Sequence, residues 1–265
     1  VSAAAIALVL ASAFVHASWN HLVHSGHDRA AVVAIAYTSG GIVLLPFTVF
    51  APPSGVGWVI ALSIVFQSAY QLLMVSSYDR GQLSVTYPVA RGVSPLLVVI
   101  GGLILLDERP DATTVTGIVV LTAGLLGLAA IAAGSAELRA AVLAVATGLA
   151  ITGYTITDAR AVRDVDPVGY FALVALAAGV VGLLVGRVDR HRMRASLRAG
   201  TMVGALQMLA YVLVLFALER AQAGQVASLR QVSVVIGVLL AREAVLRRAL
   251  AASLLVALGA VLVAW

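Results

Sequence analysis

The chain has 265 residues, of which 62% are hydrophobic and 11% charged, and its mean hydropathy is +1.05, values that exclude an ordinary soluble domain and imply an integral membrane protein. Its 17 basic residues, all arginine, outnumber 12 acidic ones for a net charge of +5. Most arginines lie in short loops between apolar stretches, a pattern of membrane orientation that argues against nucleic acid as a partner. The absence of cysteine excludes disulfides, cysteine-based zinc sites and thiol catalysis.

A bilayer core about 30 Å thick takes roughly 20 residues per helical span, so the chain has room for about ten spans and almost no soluble domain. The first apolar segment, "SAAAIALVLASAFVHASWN", lacks the basic start of a signal peptide and is long enough to span, so it reads as a retained helix. Apolar runs bounded by Gly, Pro or charge predict helices at 3–22, 30–50, 56–77, 83–106, 113–133, 137–159, 167–186, 197–218, 223–241 and 247–265. The fold class expected is an all-α membrane bundle, because irregular backbone cannot face lipid. Small residues at contact spacing, such as Ala175 with Gly179 and Gly182 with Gly186, allow close helix approach.

The second half repeats the first. "AYQLLMVSSYDRGQ" (69–82) aligns with "AYVLVLFALERAQ" (210–222) after a one-residue gap, "RGVS" (91–94) with "RQVS" (230–233), and "HASWN" (16–20) with "YTITD" (154–158). Two units follow, 1–134 and 135–265, together one membrane domain. Each holds five helices, an odd number, so the second enters the membrane from the opposite side. Loops after odd-numbered segments carry 11 arginines, including the cluster Arg187, Arg190, Arg192, Arg194 and Arg198, against four in the others. Both termini are therefore expected outside.

Polar residues inside the spans mark the expected site. Arg91 and Arg230 occupy repeat-related positions, and an arginine at mid-membrane costs about 2.5–3.5 kcal/mol, so each must face a polar interior. They either meet a ligand or lock the bundle through backbone carbonyls or a carboxylate. Pro88 and Pro95 bracket Arg91, and each removes a helical hydrogen bond. Tyr87 opens the same stretch. His16, Trp19 and Asn20 share one helical face, as do their counterparts Tyr154 and Asp158. Tyr70 matches Tyr211, with Gln67 and Gln207 one turn earlier. An aromatic pocket with a few hydrogen-bonding groups suits a small polar or amphipathic molecule. His21, His24 and His27 recur every third residue beside Asp28. Metal ligation, solvated loop positions and a gate or proton-linked role all stay open for them, though residues spaced by three drift around a helix. No metal or cofactor is expected.

These stretches resemble the drug/metabolite transporter superfamily, and within it the ten-helix EamA-like members, over essentially the whole length. The likeness rests on "HASWN", on "YPVARGVSPLLVVIGGLILLDERP" (87–110), on "YTITDARAVR" (154–163) and on "ASLRQVSVVIGVLLAREAV" (227–245). The resemblance implies export or exchange of small metabolites such as amino acids through a central cavity between the repeats. Related small multidrug resistance proteins carry a membrane glutamate in the first helix, where this chain has His16 and Asn20, which disfavours an antiporter of lipophilic cations.

The function expected is therefore a secondary transporter in a bacterial inner membrane, with a small-molecule substrate and the lipid bilayer as partners and an open oligomeric state compatible with a monomer. The alternatives are multidrug efflux, a non-transporting receptor, or an intramembrane enzyme with His16 as base and Ser18 or Ser94 as nucleophile. No triad signature supports the enzyme. If transport is proton-linked, His16 or Asp158 carries the proton, since imidazole titrates near pH 6.5 and Asp158 is the carboxylate on the pocket face.

Overall fold

The computed structural model of the chain describes residues 1–25, 28–80, 83–132, 138–240 and 246–265. Among the described residues it consists of helices: α1 (Ala3–Ser25), α2 (Arg29–Leu44), α3 (Phe47–Phe50), α4 (Gly57–Arg80), α5 (Leu83–Leu105), α6 (Ala112–Ala132), α7 (Leu138–Ala161), α8 (Pro167–Val185), α9 (Arg190–Leu218), α10 (Ala223–Leu229), α11 (Val232–Leu240) and α12 (Leu246–Ala264). Five, α1, α4, α7, α8 and α9, are long and apolar enough to cross a membrane, and α2, α5, α6 and α12 contain shorter apolar stretches.

Aspartates set where several helices start. Asp28 caps α2 by accepting from the Ala31 amide, and Asp166, its counterpart in the second half, caps α8 through Val168 and Gly169. Asp189 accepts from the Arg192 amide and starts α9 at Arg190, seven residues before the predicted segment. Most of the arginine cluster expected in a loop is therefore helical.

Two predicted helices are broken. The run 30–50 divides at Leu45 and Pro46, because proline offers no N–H to continue α2. The run 223–241 divides at Arg230 and Gln231 without a proline. There the Gln231 side chain donates to the Ala227 carbonyl at 2.8 Å, and its backbone N–H turns to Ser228 O at 2.9 Å. A side chain thus competes with the backbone ladder and ends the helix. By contrast, α5 runs as helix through both Pro88 and Pro95.

The principal packing pairs are α2 with α8 and α9, α4 with α7, α1 with α9, α5 with α7, and α6 with α12. Each joins the first half to the second, so the core lies between the halves. Small residues permit the closest approaches: a Cβ on Gly41 would lie 2.5 Å from the Leu176 backbone nitrogen. Polarity is inverted relative to a soluble protein. Ser63, Gln67, Asp158 and Gln231 are buried while Phe14, Ile104, Leu184 and Val261 are exposed, as an apolar surrounding phase requires.

Candidate functional site

Six helices and the α10–α11 break converge on one cavity. Its wall is built by His16 and Trp19 of α1, Tyr37 of α2, Gln67 and Tyr70 of α4, Tyr154 of α7, Phe171 of α8, Gln207 and Tyr211 of α9, and Arg230 at the break. Its volume is about 10 Å³, room for about one water. Anything larger than a water enters only if the helices part.

Aromatic rings make most of this wall. Tyr70 meets Tyr154 edge-on at 5.5 Å between centroids, Tyr154 meets Tyr211 at 5.7 Å, and Phe171 lies 4.5 Å from Tyr211. His16 and Trp19 stack edge-on at 4.7 Å one turn apart on α1. Such contacts hold the rings rigidly at small entropic cost.

Three polar groups stand out on the wall. The Arg230 guanidinium is buried, sits 5.4 Å from the centre of the Tyr211 ring and, among the described residues, is in no ion pair. Trp19 Nε1 and Gln207 Oε1 are buried without hydrogen-bond partners among the described residues. A buried unmade hydrogen bond costs about 1–3 kcal/mol. The cavity thus offers a cation, an N–H donor and a carbonyl acceptor to whatever enters.

Asp158 differs from the sequence expectation of a pocket-lining carboxylate. It is fully buried behind the wall and accepts from Ser63 Oγ at 2.5 Å, Tyr170 OH at 2.6 Å, Tyr211 OH and Gln67 Nε2 at 3.4 Å. Gln67 Oε1 in turn accepts from Tyr37 OH at 2.9 Å. Four donors meet two oxygens, so this carboxylate orients Tyr211, Gln67 and, through Gln67, Tyr37.

Asn20 also lies outside the wall, donating to His16 O at 3.0 Å and accepting from Tyr78 OH at 3.2 Å. Arg91 is buried behind His16, with its guanidinium against Nε2 of that ring, and does not border the cavity as Arg230 does. The Tyr87, His24 and His27 side chains lie outside the described residues, and His21 is exposed. Among the described residues no three His, Cys, Asp or Glu side chains are grouped to hold a metal.

Tyr37 and Phe171 escaped the sequence reading. Each stands in an apolar helix away from the repeat-matched polar stretches, and only the meeting of α2 and α8 with α9 turns them inward.

The two ends of the bundle carry ionic clasps between the halves. At one end Arg192 holds Asp28 by two hydrogen bonds of 2.8 Å, which with the helix cap keep the Asp28 carboxyl below its usual range. At the other, Glu108 accepts from Arg163 at 2.9 Å and from the Ala223 amide at the start of α10.

A family model described as the EamA-like transporter family matches this chain twice, over residues 3–130 and 138–265. No curated protein matches. A solved crystal structure, described only as that of a protein, is 19% identical and superposes with a TM-score of 0.69 over 98% of this chain and 96% of its own. Likeness at that identity speaks for the fold alone.

Proposed function

Because the chain belongs to the EamA-like transporter family and is a membrane transporter of the drug/metabolite type, we propose that it exports or exchanges small carboxylate-bearing metabolites, such as amino acids, by alternating access through the central cavity. On this reading α2 with α3, and α10 with α11, each make one span, so that the helices form ten spans in two inverted repeats, 1–134 and 135–265, within a bacterial inner membrane and with both termini outside. The observation that supports it is Arg230, a buried guanidinium on the wall that, among the described residues, is paired with no carboxylate. Its planar fork matches a carboxylate, and the nearby Trp19 N–H and Gln207 carbonyl add a donor and an acceptor that a zwitterion can use. The small volume of the cavity suits an intermediate closed at both ends, one clasp at each.

The test is counterflow of labelled amino acids in liposomes holding the purified protein. Arg230→Gln should lower kcat/KM for amino acids about tenfold or more, the worth of one charge-assisted hydrogen bond. Equal transport of amines lacking the carboxylate, or parent activity in Arg230→Gln, overturns the reading. An imposed pH gradient, applied also to His16→Gln and Asp158→Asn, tests whether either residue carries a coupled proton.

A further inference from the structure

At 29 residues, α9 is about 44 Å long at 1.5 Å per residue, more than the roughly 30 Å of a hydrocarbon core. Its apolar part begins at Ala199, so residues 190–198 project into the headgroup layer and the water beyond it. Within that projection Arg192 turns inward to Asp28. Arg190, Arg194 and Arg198 do not. They follow at four-residue intervals on one exposed face, and among the described residues none is in an ion pair.

The same face continues downward through Thr201, Met202, Ala205 and Leu209, all exposed. There an apolar groove of about 420 Å³ opens between α2 and α9, bordered by Val43 and Leu44 on one side and Thr201, Ala205 and Leu209 on the other. Charge and groove are aligned along one helix face: guanidiniums at headgroup height, an apolar channel directly beneath.

We infer that this face binds one anionic phospholipid, with its phosphate on Arg194 and Arg198 and an acyl chain along the α2–α9 groove. Guanidinium forks match phosphate oxygens, and three unpaired cations one turn apart repel one another until an anion lies among them. A soluble anion makes no use of the groove. A zwitterionic lipid sets its own cation against Arg190.

The probe is fluorescent phosphatidylglycerol, titrated into the purified chain in an uncharged detergent. Saturable binding is expected, displaced by unlabelled phosphatidylglycerol but by neither phosphatidylcholine nor inorganic phosphate. Arg194→Gln with Arg198→Gln should weaken it about 30-fold, the effect of two guanidinium contacts with an anionic headgroup. Ala205→Phe, which fills the groove and leaves the charge unchanged, should weaken it as well, and Arg220→Gln at the opposite end should not. All these positions are exposed, and tryptophan melting verifies that each variant is folded. Equal competition by phosphatidylcholine, displacement by inorganic phosphate, or parent affinity in the double variant overturns the site. Parent affinity in Ala205→Phe overturns the acyl-chain groove.

Discussion

Replacing Glu108 by alanine should unfasten one end of the bundle at a cost set mainly by a single backbone amide. Glu108 is 7% exposed and accepts from the Ala223 N–H at 2.9 and 3.0 Å and from Arg163 Nη2 at 2.9 Å. Alanine leaves that amide buried without an acceptor, which costs about 1–3 kcal/mol. The ion pair adds only about 0.2–1 kcal/mol, because the Arg163 side chain is 38% exposed. Arg163 also keeps its 2.9 Å hydrogen bond to Leu106 O. The expected loss is about 2–3 kcal/mol, or about 5–8 °C in Tm for a chain of this size. Glu108→Gln retains an acceptor for the amide and loses only charge, about 1 kcal/mol. Arg163→Ala should cost about 0.5–1 kcal/mol. Melting of the detergent-purified protein, followed by fluorescence of Trp19, Trp58 and Trp265, gives the ranking. If Arg163→Ala costs as much as Glu108→Ala, or Glu108→Ala melts within about 1 °C of the parent, the amide does not dominate and the reasoning fails.

At the other end, Asp28→Asn should lower stability at neutral pH by about 0.5–1 kcal/mol. The folded carboxyl titrates below its ordinary value of 3.8, so its stabilisation is present above that value and is lost as pH falls through the lower, folded one. The gap in Tm between parent and variant should therefore close as the pH is taken from neutrality to well below 3.8, and a gap that stays unchanged over that descent would refute the pairing with Arg192. Gly41→Ala would set a Cβ 2.5 Å from Leu176 N, a backbone atom that cannot yield, and should cost about 1–3 kcal/mol by forcing α2 from α8. Gly57→Ala, with nothing within 4 Å of its Cβ, should leave Tm unchanged or slightly higher, and equal losses in the two variants would refute the close-contact argument.

Composition and run length carry the membrane class and the helical segments, because an apolar stretch and its boundaries are local properties of the chain. The repeat was legible for the same reason: Arg91 and Arg230, or Asn20 and Asp158, can be aligned by counting. Most of the cavity wall was also legible, since a polar or aromatic residue such as Gln67, Tyr154, Gln207 or Arg230 inside an apolar run is conspicuous and its repeat partner supports it. The side each residue takes was decided by tertiary structure. Asp158 withdraws behind the wall because Ser63, Tyr170 and Tyr211, from three other helices, converge on it. Arg91 and Arg230 look equivalent in the aligned repeats. The Gln231 side chain breaks the helix beside Arg230, whereas α5 runs unbroken past Arg91. Tyr37 and Phe171 enter the wall from helices apolar all round, where periodicity shows no inward face. In a bundle whose outside is lipid, apolar residues belong on both sides of a helix, so their facing is set by the neighbouring helix rather than by the sequence pattern.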